Sequence, residues 1–132
     1  MTQRIKLLLF DIDGTLVRLD GAGLNALDKA FFDLFGIKNI AYKVDFFGKT
    51  DPVIYEDILR LAGLDISLAA EKYENIVEHY VQYLKIEIEN FKHYPVIEGV
   101  KEFLNLHNGK NNIKLGLLTG NIEQGGRIKI GR

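Results

Sequence analysis

Ile5-Lys6-Leu7-Leu8-Leu9-Phe10-Asp11-Ile12-Asp13-Gly14-Thr15-Leu16 is the most informative stretch of this chain. Its first six residues form a nearly continuous apolar run, stopped by acids, a glycine and a hydroxyl. A run of that length and ending reads as a strand buried on both faces, the kind found in parallel sheets. Ile113-Lys114-Leu115-Gly116-Leu117-Leu118 is a second such run, stopped by Thr119-Gly120-Asn121. Both strands finish in small and polar residues at their carboxyl ends, the edge at which open α/β sheets bind ligands.

The segment between the strands is patterned for helices. Leu24, Leu27, Phe31, Leu34 and Phe35 recur at helical spacing, and Gly36 is placed to end that helix. Asp51-Pro52 reads as an N-cap followed by proline at the first helical position. Ile54, Ile58, Leu59 and Leu61 line the helix it opens, and Gly63 closes it. A longer helix is expected from Ser67, striped by Tyr73, Ile76, Val77, Tyr80, Leu84 and Ile88 and broken by Pro95. A final helix, from Ile97 to His107, turns Val100, Phe103 and Leu104 inward. Asp13 and Thr119 lie 106 positions apart, whereas a plain strand–helix–strand crossover needs only about 30 residues. The economical arrangement is α/β: a partial Rossmann-like parallel sheet with an inserted α-helical cap over its carboxyl edge. The core then takes residues 1–18 and 93–132, and the cap takes 19–92.

Composition removes several function classes. With 132 residues, 47% of them hydrophobic and 27% charged, the chain has the size and balance of one globular domain and not of a disordered segment. A net charge of −1 gives no general attraction to nucleic acid or to an anionic membrane. The lack of cysteine removes thiolate nucleophiles, disulfides and zinc–thiolate centres. The run before Asp11 is too short for a secretory signal, and no stretch approaches the roughly 18 apolar residues of a membrane span. A cytoplasmic protein is expected.

Two carboxylates in an i, i+2 relation at a strand end suit phosphorus chemistry. Asp11 can attack phosphorus and also bind a divalent cation, while Asp13 can move protons if the chain bends at Gly14. A carboxylate approaching a phosphate meets charge repulsion, and Mg²⁺ bridging the two is the expected remedy. Thr119, Gly120 and Asn121 bring a hydroxyl, a close-approach glycine and an amide to the same edge, where they can donate to phosphate oxygens. Taken singly, the first motif could be a polar turn, and Thr119 and Asn121 could cap the following helix. Their joint occurrence favours the chemical reading. Lys49, in Phe47-Gly48-Lys49-Thr50-Asp51, either meets an anionic leaving group or is a solvated charge beside a helix-capping Asp51. His79, His93 and His107 are spaced for no metal pair.

Asp11-Ile12-Asp13-Gly14-Thr15 and Leu118-Thr119-Gly120-Asn121 resemble the first two signatures of the haloacid dehalogenase (HAD) superfamily. The resemblance is to its phosphoglycolate phosphatase-like branch, which carries a helical cap after the first strand. It implies a Mg²⁺-dependent phosphatase acting on a small phosphate monoester through an aspartyl-phosphate. Asp11 is then nucleophile and metal ligand, and Asp13 is general acid/base, its backbone carbonyl also meeting the metal. Thr119, Gly120 and Asn121 would hold the phosphate, and Lys49, on a cap loop that reaches down to the site, would meet the substrate. The second aspartate is what separates the phosphatases of this superfamily from its dehalogenases. The implied partner is a small phosphorylated metabolite.

The family pattern continues with a lysine that neutralises nucleophile and phosphate, then an acidic pair that completes the metal site. Only 11 residues follow Asn121, and Glu123 is the sole acid among them. Arg127 and Lys129 are candidates for a substitute cation, but they come too soon for that lysine and read rather as helix-surface charges. The chain is therefore expected to be a C-terminally truncated form with impaired activity. Its sheet is expected to expose unpaired edges and apolar faces through which copies could associate. Two further readings share the sequence: a sugar-phosphate mutase of the same superfamily, and a non-catalytic remnant or binding module that uses the cap as a partner surface.

Overall fold

In the computed structural model, which describes residues 4–131, the two apolar runs pair directly and in parallel. The strands are β1 (Lys6–Phe10) and β2 (Ile113–Leu117). Between them lie α1 (Ala22–Phe35), α2 (Asp51–Leu61), α3 (Leu68–Glu71), α4 (Tyr73–Glu89) and α5 (Val100–His107), and α6 (Glu123–Lys129) follows β2. The chain is thus mixed α/β, about half helical, with a small parallel sheet. Lys6 stands opposite Ile113 and Phe10 opposite Leu117. The Leu118 N–H donates to the Phe10 carbonyl at 2.8 Å, carrying the ladder one step past β2. Among the described residues these two strands are the whole sheet.

The expectation of strands buried on both faces is overturned. Leu7 and Leu9, which share one face of the pleat, are 62% and 49% exposed. Leu8 and Phe10 on the opposite face are half-buried, and Phe103 of α5 meets the Phe10 ring edge-on with centroids 6.0 Å apart. A sheet of two strands is also too narrow to cover α5, none of whose residues is fully buried. Phe103, expected to face inward, is exposed.

The main core lies among the helices instead. Ala22, Ala26 and Ala30 place small side chains on the buried stripe of α1, beside Leu27 and Phe31, so that α4 can approach closely. Phe31, Tyr55, Ile58, Leu59, Ile76, Tyr80 and Leu84 are fully buried there, and Ile122 joins them from the loop before α6. Gly36 ends α1 as expected, at φ 71°, with its N–H on the Phe32 carbonyl at 2.8 Å. The single helix expected from Ser67 is divided at Lys72 into α3 and α4, and α4 ends at Glu89, so Pro95 is not what stops it. A second, smaller cluster of Ile12, Val17, Leu19 and Ala22 lies beneath the turn after β1.

A pair of glycines seats α6. A Cβ on Gly125 would lie 3.2 Å from the Tyr80 ring, and one on Gly126 would lie 3.2 Å from Cδ1 of Ile12. Larger residues would push α6 away from α4 and from the turn after β1. Among the described residues no helix is long and apolar enough to cross a membrane.

Because the helices carry the core, Leu84→Ala is expected to lower the unfolding free energy by about 2–5 kcal/mol. Leu106→Ala, at a 63% exposed position of α5, is expected to change it by less than about 0.5 kcal/mol. Urea titration followed by circular dichroism measures both.

Candidate active site

The turn after β1 is built to present acids. The N–H groups of Leu16 and Val17 both return to the Ile12 carbonyl, at 2.9 and 3.1 Å, and the Gly14 N–H meets the Val17 carbonyl at 2.8 Å. Gly14 sits at φ 76°, where a side chain would be strained, and so supplies the bend. Ile12 and Val17 anchor the turn in the small core, which leaves Asp11 and Asp13 facing outward. The parallel register then delivers Thr119, Gly120 and Asn121 from the neighbouring strand to the same edge.

Four side chains meet there. Asn121 Nδ2 donates to Asp13 Oδ2 at 2.9 Å and to Thr119 Oγ1 at 2.6 Å. Lys129 Nζ donates to the same Asp13 oxygen at 2.8 Å and to Asn121 Oδ1 at 2.6 Å. Thr119 Oγ1 also accepts the Asn121 backbone N–H at 3.2 Å. Asp11 is exposed at the strand end and stays outside this network.

Lys129 corrects the reading of its position as a helix-surface charge. Only 6% of it is exposed, and its ammonium is held between Asp13 and Asn121. The reason is the phase of α6: Ile122, Gly125, Gly126 and Lys129 fall at i, i+3, i+4 and i+7, on one helix face. That spacing was the available signal in the sequence. Arg127 does lie on the surface, paired with Glu123.

The loop before α2 also reaches this edge, by a different residue from the one expected. The Lys49 side chain is turned to Asp57, which it meets at 2.8 Å, and Asp57 also pairs with Arg60. These partners hold the Asp57 carboxyl below its usual range, the Lys49 hydrogen bond foremost. The Lys49 backbone, however, packs so closely on Gly120 that a Cβ there would collide with its carbonyl oxygen. Asp51 completes the joint: its N–H donates to the Gly120 carbonyl at 2.9 Å, and its buried Oδ2 accepts the Ile122 N–H at 2.7 Å. Thr50, not Asp51, is the N-cap of α2, and the Asp51 carboxylate serves the chain 71 residues away.

Burial pushes the Asp51 carboxyl above its usual range, with the nearby Asp13 charge adding to the shift, while the Ile122 N–H and Lys129 pull it back. Burial likewise raises the Tyr80 hydroxyl well above its ordinary value, and Asp51, Tyr55 and Asp13 add to it.

Among the described residues no three or more His, Asp or Glu side chains gather closely enough to form a cage. One Asp13 oxygen is already engaged by two N–H donors. What remains is the exposed Asp11 carboxylate, a hard oxygen donor of the kind a hydrated divalent cation takes. No family model matches the chain, and no curated protein matches it.

The raised Asp51 value has a definite sign. A carboxyl that holds its proton more tightly when folded contributes its full stability below the unfolded value of about 3.9. That contribution fades as pH rises through the raised folded value. Asp51→Asn keeps an oxygen for Ile122 but cannot ionise. The difference in Tm, Asn minus wild type, is therefore expected to grow more positive between about pH 3 and about pH 7. Differential scanning calorimetry across that range measures it.

Proposed function

We propose that the chain is a phosphoric monoester hydrolase of the haloacid dehalogenase type, acting on a small phosphate ester. The observation that carries this reading is the convergence of Asp13, Thr119, Asn121 and Lys129 on the strand end that bears Asp11. Those residues pair an acid with three groups able to donate to an anion.

In this reading the Asp11 carboxylate attacks phosphorus and the bond to the leaving oxygen breaks, with Asp13 giving that oxygen its proton. Water then attacks the aspartyl-phosphate, Asp13 takes the proton of the water, and the Asp11–phosphorus bond breaks to release inorganic phosphate. The Lys129 ammonium, the Asn121 amide and the Thr119 hydroxyl bind the phosphate oxygens. Lys129 and Asn121 would move to them from the Asp13 oxygen they now share, which frees Asp13 for proton transfer. Asp11 and the Asp13 backbone carbonyl are the groups that would hold Mg²⁺, whose contribution when bound is to neutralise charge between carboxylate and phosphate. Lys129 thereby supplies the cation that the resemblance calls for at a later position.

Turnover of an aryl phosphate with Mg²⁺ tests this. Asp11→Asn is expected to reduce release of the aryl alcohol to background, and Asp13→Asn to slow it by about 10²–10⁴-fold. Equal rates for wild type and Asp11→Asn would remove Asp11 from the chemistry and the reading with it.

A further inference from the structure

We propose that Asp51 is a positioning residue that ties the cap loop to the phosphate-holding loop and so sets where Thr119 and Asn121 stand. The inference rests on the phosphatase reading above, and it gives a role to a side chain which that reading leaves unused.

Three contacts make the joint. The Asp51 N–H reaches the Gly120 carbonyl, the Asp51 carboxylate receives the Ile122 N–H, and the Gly120 backbone lies directly against the Lys49 carbonyl. The two bonds from Asp51 bracket Asn121, so the backbone on either side of that residue is fixed from the cap. Asn121 in turn fixes Thr119, whose hydroxyl accepts both its backbone N–H and its side-chain amide. A carboxylate is expensive to bury, and Asp51 is only 7% exposed. A helix cap would not require that burial, since Asp51 opens α2 without capping it. The position is explained by what it holds. If the tie loosens, the Thr119 and Asn121 donors lose their common aim, and phosphate binding suffers before the helical core does.

The test compares wild type, Asp51→Ala and Asp51→Asn by two readouts: amide hydrogen exchange at Ile122, and affinity for inorganic phosphate by titration. Asp51→Ala is expected to speed Ile122 exchange and to weaken phosphate binding, each by about tenfold or more. Asp51→Asn, which retains the acceptor, is expected to restore both to near wild type. Amides in the middle of α4 report global stability and separate loosening of the joint from general unfolding. Should Asp51→Ala fail to fold, Gly120→Ala forces the same loops apart from the other side and is expected to weaken phosphate binding likewise. Unchanged Ile122 exchange in Asp51→Ala would overturn the tie, and faster exchange with unchanged phosphate affinity would overturn the positioning role. If the wild type binds no inorganic phosphate, the phosphatase reading and the positioning role fall together, and Ile122 exchange still decides whether the tie exists.

Discussion

A buried ammonium constrains this molecule more tightly than any other single group. Lys129 is almost wholly removed from water, and an unpaired charge in that position would cost several kcal/mol. It is tolerated because Asp13 and Asn121 offer oxygens at hydrogen-bond distance. Each partner depends on a separate part of the fold. Asp13 depends on the turn at Gly14, Asn121 on the register of β2 against β1, and Lys129 itself on the close seat of α6 against Tyr80 and Ile12. The ion pair is therefore where three independently built pieces must agree. Moving any one of them would strand a charge.

The same cluster explains the electrostatics around it. Two carboxylates, Asp13 and Asp51, act on one cation in a partly dry setting, with the buried Tyr80 hydroxyl within reach of both acids' charge. Lys129 balances Asp13 directly, so Asp51 is the acid left to bear the cost of burial, and its carboxyl shifts upward. The Ile122 N–H offsets part of that cost, which is why the carboxylate points there and not into its own helix.

Much of the architecture was legible in the sequence because it is written in local patterns. The apolar runs that became β1 and β2, the stripe of α1 with its closing Gly36, and the acids and hydroxyls at the strand ends all follow from spacing and turn chemistry. What escaped was non-local. Asp51 followed by proline looks like a helix cap from its neighbours alone, and only the arrival of Ile122 gives its carboxylate another partner. Lys129 reads as solvated from its short distance to Asn121, and only its place on the helix face of Gly125 and Gly126 marks it as buried. Leu7 and Leu9 are exposed for a related reason. An apolar strand predicts that its faces can be covered, but covering them takes other elements, and the strand does not encode their number.

The exposed face of the sheet clarifies what the two strands contribute. Stability resides in the packing of α1, α2 and α4, where, among the described residues, every large side chain less than 2% exposed except Ile12 is found. A pair of five-residue strands adds little burial beyond the half-covered Leu8, Phe10, Ile113 and Leu115. Its contribution is alignment. Parallel pairing fixes Phe10 opposite Leu117, and because each strand continues straight into its polar motif, that single register sets Asp11 and Asp13 beside Thr119 and Asn121. A slip of one residue would turn every side chain of the slipped strand to the opposite face and separate Asp13 from its partners. The sheet is thus small for a core yet sufficient for a site, since two strands are the minimum that can hold two loops in register.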